Sequence, residues 1–151
     1  MRELIKLWDK VRWPAPEMLF EAHCKNEIGI AIELCVLRKQ KGEWQVLLIY
    51  RQDKFFKGWH MPGSLLMPGE TIVQVFKRLS HDEIGVAITK PKFVTINEHF
   101  TRRGYEISLV HTCHLVGKGI PQGKFFSLDK PPPTTLSTHK EMIRAVRRTL
   151  V

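Results

Sequence analysis

The central helix of the chain is predicted by apolar residues that recur every three or four positions. They are Ile72, Val75, Phe76 and Leu79. Together they form one apolar stripe over two helical turns. Thr71 suits the position before the first turn, and Gly85 suits the left-handed residue that follows the last turn. A loop rich in Gly and Pro, residues 58–69, precedes this helix.

Runs of β-branched and aromatic residues predict strands on both sides of the helix. The runs are 27–37 and 44–50 before it, and 92–100 and 105–116 after it. The polar turn 39–43 joins the first two runs as a hairpin. A short Phe125-Phe126 element interrupts the long loop that follows the last run.

Two further helices are predicted at the ends of the chain. Leu4, Ile5, Trp8 and Val11 have helical spacing, and Pro14 and Pro16 end this helix, so residues 1–16 form a helical extension. We expect it to cover an open face of the protein or to form a homodimer contact. Residues 17–26 do not favour one type of structure.

The closing helix is predicted over 137–150, where four apolar residues form a stripe: Met142, Ile143, Val146 and Leu150. Thr138 followed three residues later by Glu141 predicts a capping box at its start. The rest of its surface is basic, through Lys140, Arg144, Arg147 and Arg148. Such a surface is either a solvated face or a nucleic-acid contact.

Composition limits the class of protein. The 151 residues are 43% hydrophobic, which suits one domain over 1–151. No apolar run approaches the ~20 residues of a membrane span. The three cysteines, Cys24, Cys35 and Cys113, are an odd number without metal-type spacing, so we expect reduced thiols in a cytoplasmic protein. A formal charge of +9 favours anionic partners such as nucleotides, nucleotide sugars or RNA.

Residues 58–86 carry a recognisable motif. Glu70, Arg78, Glu83, Gly85 and Val86 are spaced as in the Nudix box, G-x5-E-x7-R-E-U-x-E-E-x-G-U, in which U is a bulky apolar residue. The chain therefore resembles the Nudix hydrolases. Four positions differ from the motif: Ser64, Leu79, Ser80 and Asp82. The resemblance implies an α/β/α sandwich with a mixed β-sheet, in agreement with the order of the predicted elements.

The resemblance also implies a metal site. In this family the clustered carboxylates of the box hold Mg²⁺ (or Mn²⁺), which activates a water and offsets phosphate charge. On this chain the candidate ligands are Glu83, Asp82, Glu70 and a main-chain carbonyl near Gly63. Arg78 would orient the carboxylates.

Leu79 stands where the motif has a glutamate, and two interpretations of it remain. Either a metal site has decayed, or the Arg-Leu pair marks a chemical variant similar to the GDP-mannose mannosyl hydrolases, which attack a sugar carbon. That branch carries a histidine base in a loop near the C-terminus, and residues 115–138 contain no histidine. His99, which precedes Phe100 as in that branch, and its neighbour Glu98 are the candidates to assist the attacking water.

Arg51 completes the candidate site. An arginine at this place often meets substrate in the family, and a guanidinium suits phosphate; the alternative is a solvated loop arginine. We therefore predict a magnesium-dependent hydrolase of a nucleoside diphosphate linked to another moiety, such as a nucleotide sugar. The alternative is a catalytically silent module that binds a nucleotide or, as the less favoured ligand, RNA.

Overall fold

The computed structural model describes residues 1–150. Its helices are α1 (Arg2–Trp8), α2 (Glu17–Asn26), α3 (Ile72–Arg78) and α4 (Ser137–Thr149). Its strands are β1 (Gly29–Gln40), β2 (Glu43–Gln52), β3 (Lys57–His60), β4 (Gly63–Leu65), β5 (Lys92–Phe100), β6 (Tyr105–Cys113) and β7 (Lys124–Ser127). A π-helical segment, Leu79–Ile84, continues α3.

The strands form a mixed sheet in the order β3-β2-β1-β6-β5, with β4 beside β1 and β7 beside β2. β1 runs parallel to β6, whereas the other pairs are antiparallel. One edge of β1 is shared by two partners, since β4 pairs with residues 31–33 and β2 with residues 37–40. The predicted mixed sheet and the predicted hairpin are confirmed.

Helices cover both faces of this sheet. Ile32, Leu34 and Val36 of β1 pack with Val75 and Leu79 on one face. The alternate residues Cys35 and Leu37 pack on the opposite face against a stripe of α4, formed by Met142, Ile143 and Val146. Successive side chains of a strand point to opposite faces, so β1 is apolar on both sides. The predicted α/β/α sandwich is therefore confirmed.

The central helix begins and ends as predicted. The Thr71 side chain accepts a hydrogen bond from the main-chain N–H of Gln74, and the Thr71 N–H donates to Oε1 of Gln74, so a capping box is present. Gly85 has φ 74°, the left-handed conformation that ends helices. The last six residues before it are wound as a π-helix, a form that frequently occurs at functional sites.

The helices at the two ends differ from the prediction in detail. α1 is present but ends at Trp8, and none of its residues is buried. Residues 17–26, which the sequence left open, form α2. The capping box predicted at Thr138 is wrong: α4 begins at Ser137 after Leu136, so Thr138 lies inside the first turn and makes no capping hydrogen bond. Over residues 1–150, no helix is long and apolar enough to cross a membrane.

Candidate active site

A cavity of about 490 Å³ opens beside the start of β1. Its walls come from β1, β2, β3, β4 and the π-helical segment, together with α2, α4 and the turn between β5 and β6. Most of its lining side chains are polar or aromatic. Elsewhere the interior is mostly apolar, whereas this cavity contains most of the buried glutamate and histidine side chains.

Two carboxylates meet at the Gly63 main chain. The N–H of Gly63 donates to Oε2 of Glu83 over 3.2 Å. A Cβ on Gly63 would lie 2.0 Å from Oε2 of Glu33, so only glycine leaves room for that carboxylate. Glu33 is 7% exposed, and its Oε2 has no hydrogen-bond partner among the described residues.

The environment shifts the pKa values of both carboxylates upward. Burial raises the pKa of Glu33 well above its ordinary value, and the charges of Glu83 and Glu106 raise it further. Burial also raises the pKa of Glu83 to about 7, against a hydrogen bond from Gly63 that lowers it. Strongly perturbed carboxyls in a cleft are typical of functional sites.

Two buried histidines are fixed by the main chain of Met61. Nδ1 of His60 lies 2.7 Å from the Met61 carbonyl, which can only accept, so this nitrogen carries the proton. The Met61 N–H donates to Nδ1 of His139 over 3.2 Å. Burial lowers the pKa of His60 to about 4 and that of His139 to about 3, so both rings are neutral at physiological pH. His60 therefore turns an unprotonated Nε2 towards Oε1 of Glu83, 3.8 Å away.

A third group surrounds Glu106 of β6. Thr101 donates to its Oε1 over 3.1 Å, and Arg103 reaches the same oxygen through Nε at 3.0 Å and Nη2 at 2.8 Å. Nε2 of His99 lies 3.8 Å from Oε2. Burial alone would raise the pKa of Glu106, but His99, Arg103 and Thr101 hold it below its ordinary value. Glu106 is therefore a charged carboxylate that orients the groups around it.

Four of the predicted site residues line the cavity: Gly63, Arg51, Glu83 and His99. Arg51 lies at the end of β2, and its Nε donates to Oδ2 of Asp53 over 2.5 Å.

The other four predicted residues lie outside the cavity. Arg78 forms a two-point ion pair with Glu70, through Nε and Nη2 at 2.9 Å each, and donates to Oγ of Ser64 at 2.8 Å. Asp82 is exposed, and its Oδ1 lies 2.6 Å from Nδ1 of His81. Glu98 is exposed because strand alternation turns it away from the side of β5 that carries His99.

Sequence reasoning missed five ionisable residues of the cavity: Glu33, His60, Arg103, Glu106 and His139. A signal existed for two of them. Glu33 is the single charged residue within the apolar run 30–37, and His139 precedes Met142, Ile143 and Val146 at helical spacing, on the buried stripe of α4. His60, Arg103 and Glu106 have no pattern that separates them from surface residues.

The comparisons with known proteins agree with this architecture. Residues 30–146 match the family model for the NUDIX domain. The chain belongs to the Nudix family. The resemblance carried by residues 58–86 is thus confirmed at the level of the family.

One curated relative of this Nudix chain is the low-salt glycan biosynthesis protein Agl8 of Haloferax volcanii, 30% identical over 93 residues. The match covers 61% of this chain and 57% of that protein, so the chain spans little more than half of its length. Two solved structures show the same fold. One is the NUDIX domain of Shewanella oneidensis NrtR complexed with ADP ribose, which is 16% identical to this chain with a TM-score of 0.66. The match covers 90% of this chain and 99% of the NrtR chain. The other is a C. elegans Ap4A hydrolase, which is 16% identical with a TM-score of 0.68. The match covers 81% of this chain and 97% of the hydrolase chain.

Nudix enzymes generally use divalent metals, and the cavity of this chain fits one. Glu33 and Glu83 supply hard carboxylate oxygens, one of them without a hydrogen-bond partner, at the Gly63 main chain. Within residues 1–150, no group of three or more His, Cys, Asp or Glu side chains is arranged to hold a metal ion by itself. Mg²⁺ is commonly held by one or two carboxylates, with waters and substrate phosphates completing its shell. Leu79, Glu70 and Asp82 do not line the cavity.

Proposed function

We propose that this Nudix domain hydrolyses a nucleoside diphosphate linked to another moiety, with a nucleotide sugar as its substrate class and Mg²⁺ or Mn²⁺ as its cofactor. The observation that carries the proposal is the meeting of Glu33 and Glu83 at Gly63, in the same cavity as Arg51. A cation at the carboxylates and a guanidinium beside them are what a diphosphate requires.

Two of the similar proteins support this substrate class. The relative from Haloferax volcanii is named for glycan biosynthesis, and the Shewanella oneidensis structure contains ADP ribose, a nucleoside diphosphate linked to a sugar. The aromatic side chains of Tyr50, Phe56 and Phe20 line the cavity and offer apolar surface to a base or a sugar ring.

Each residue of the proposed site has a separate task. Glu33, Glu83 and the main-chain carbonyl of Gly63 hold the cation, which when bound polarises a phosphate oxygen and lowers the pKa of a water. Arg51 binds phosphate. His99, set beside the charged Glu106, takes the proton of the attacking water.

Arg78 is a positioning residue in this scheme. It contacts Glu70 and Ser64, and not the cavity, so it fixes the loop that carries Gly63 relative to the helix that carries Glu83.

The test is a hydrolysis assay with nucleotide sugars, dinucleoside polyphosphates and nucleoside triphosphates at millimolar Mg²⁺, with products identified by mass. Nucleoside monophosphate plus sugar phosphate is the expected outcome of attack on phosphorus. Free sugar plus an intact nucleoside diphosphate would instead indicate attack on the sugar carbon. Binding without turnover over the whole panel would contradict the proposal and support the silent nucleotide- or RNA-binding module.

Two neighbouring carboxylates provide the matched variants for this assay. We expect Glu83→Gln to remove at least about 99% of the turnover, since it takes away a metal-binding charge. Asp82→Asn, one residue earlier and exposed outside the cavity, should keep most of it. Equal losses in both variants would contradict the assignment of the metal site.

A further inference from the structure

Two arginines of the cavity stack on one aromatic ring. The guanidinium carbon of Arg51 lies 4.7 Å from the centroid of the Phe56 ring, and that of Arg103 lies 5.0 Å from the same centroid. All three side chains line the cavity. Arg51 and Arg103 come from different parts of the chain, the end of β2 and the turn between β5 and β6, so the ring joins two otherwise separate elements.

Each arginine is also anchored by its own carboxylate. Asp53 accepts from Nε of Arg51, and its other oxygen accepts the main-chain N–H groups of Phe55 and Phe56 at 2.8 and 2.9 Å. The same turn thus fixes both Arg51 and the ring. Glu106, which is 5% exposed, anchors Arg103 through Nε and Nη2.

These anchors leave hydrogen-bond donors available. Among the described residues, no partner contacts Nη1 of Arg103 or either terminal nitrogen of Arg51. A guanidinium keeps its charge and presents its donors in a fixed fork that matches phosphate oxygens, so donors not used by the anchoring carboxylate can bind phosphate. Both guanidiniums therefore have ordered positions and spare donors at one wall of the cavity.

We propose that Arg51 and Arg103, both stacked on Phe56, form a two-point binding site for the diphosphate of the substrate. The two guanidinium carbons lie 4.7 and 5.0 Å from one ring centroid, so they are less than about 10 Å apart, a span that the anionic oxygens of two linked phosphates can bridge. A diphosphate offers the two guanidiniums more oxygens to share than a single phosphate does. The inference rests on the proposed function for its substrate class, and it assigns Arg103 and Phe56 to substrate selection.

The experiment measures the binding of inorganic pyrophosphate and of inorganic phosphate by titration calorimetry in EDTA at low salt, without hydrolysis. The wild-type protein should bind pyrophosphate more tightly than phosphate. Arg103→Lys keeps the charge but loses the fork, and it should raise the Kd for pyrophosphate about tenfold. Its effect on phosphate should be smaller. Arg102→Lys, at the neighbouring exposed position outside the cavity, is the matched control and should change neither Kd.

Arg51→Lys provides a second arm that leaves the buried Glu106 cluster intact, and it should also raise the Kd for pyrophosphate about tenfold. Phe56→Leu should weaken pyrophosphate binding as well, because both guanidiniums lose their common support. The proposal is overturned if pyrophosphate does not bind, if it binds no more tightly than phosphate, or if Arg103→Lys behaves like Arg102→Lys.

These results are independent of the hydrolysis assay. Turnover of nucleotide sugars together with unchanged pyrophosphate binding in the Arg103 variant would remove the two-point site and leave the proposed function. Arginine-dependent pyrophosphate binding without any turnover would contradict the proposed function and leave the two-point site.

Discussion

Oε2 of Glu33 lies 4.0 Å from Nδ1 of His139, and that ring nitrogen already accepts a hydrogen bond from the Met61 N–H. Two acceptors thus face each other in a buried place. A proton on Glu33 relieves this, which agrees with a pKa that burial and the neighbouring carboxylates raise well above its ordinary value. The raised pKa and the contact with His139 both favour the protonated form of Glu33.

This relationship predicts that Glu33→Gln stabilises the metal-free protein. Since the folded-state pKa of Glu33 is raised, its contribution to stability is present below about pH 4.5 and is lost as the pH rises towards the folded-state pKa. A neutral amide avoids this loss. We expect the variant to gain about 1 kcal/mol in unfolding free energy at pH 8 and little at pH 4, measured by urea denaturation in EDTA. A gain that does not depend on pH would contradict the protonation of Glu33.

The buried histidines predict a loss of stability in acid. The folded-state pKa values of His60 and His139 are lowered to about 4 and about 3, so unfolded chains take up these protons first as the pH falls. Their contribution is present above about pH 6.5 and is lost on the way down to about pH 3. The urea midpoint should therefore fall between pH 6.5 and pH 4. His139→Gln should make that fall less steep, whereas His81→Gln, at an exposed position, should leave it unchanged.

Leu79→Glu should not restore a metal site. Leu79 is 2% exposed and packs with Val75 and Ile84 against the sheet, so a glutamate there would be buried in apolar surroundings. We expect a loss of more than about 2 kcal/mol in unfolding free energy and no gain in turnover at any magnesium concentration. Leu79→Met, which conserves volume, should cost less than about 1.5 kcal/mol. A gain in turnover with stability retained would support the decayed-site interpretation.

Arg78→Lys should loosen the loop that carries Gly63. A lysine cannot keep both bonds to Glu70 together with the bond to Ser64. We expect a loss of about 1 kcal/mol in unfolding free energy, since the pair is partly exposed, and a lower kcat with little change in KM. Lys77→Arg, at the neighbouring exposed position, is the control. In a double-mutant cycle with Glu70→Gln, additive losses would show that the ion pair does not couple the two residues.

The sequence predicted the fold of the protein better than the residues that line its cavity. Helix 71–84, strand 92–100 and the mixed sheet follow from apolar spacing and from Thr71 and Gly85, which are local properties. Glu33 and Glu106 line one cavity only because β1 and β6 pair in parallel, in a register that puts Glu33 opposite Val110 and Gly29 opposite Glu106. No local pattern encodes that register.

The motif identified one acidic residue that lines the cavity, Glu83, but also two that do not, Asp82 and Glu70. Glu83 lies on the π-helical segment and lines the cavity. Asp82, on the same segment, is turned to solvent, and Glu70, which precedes the helix, pairs with Arg78. Residue type and spacing in the sequence do not distinguish these outcomes.

The position of His139 has a consequence for the order of events during synthesis. Glu33 lies on the first strand and His139 on the last helix, and α4 also supplies the apolar stripe that closes one face of the sheet. A chain synthesised only as far as residue 136 lacks His139 and the apolar stripe of α4, so its cavity is incomplete. The docking of α4 is therefore the step that completes the cavity.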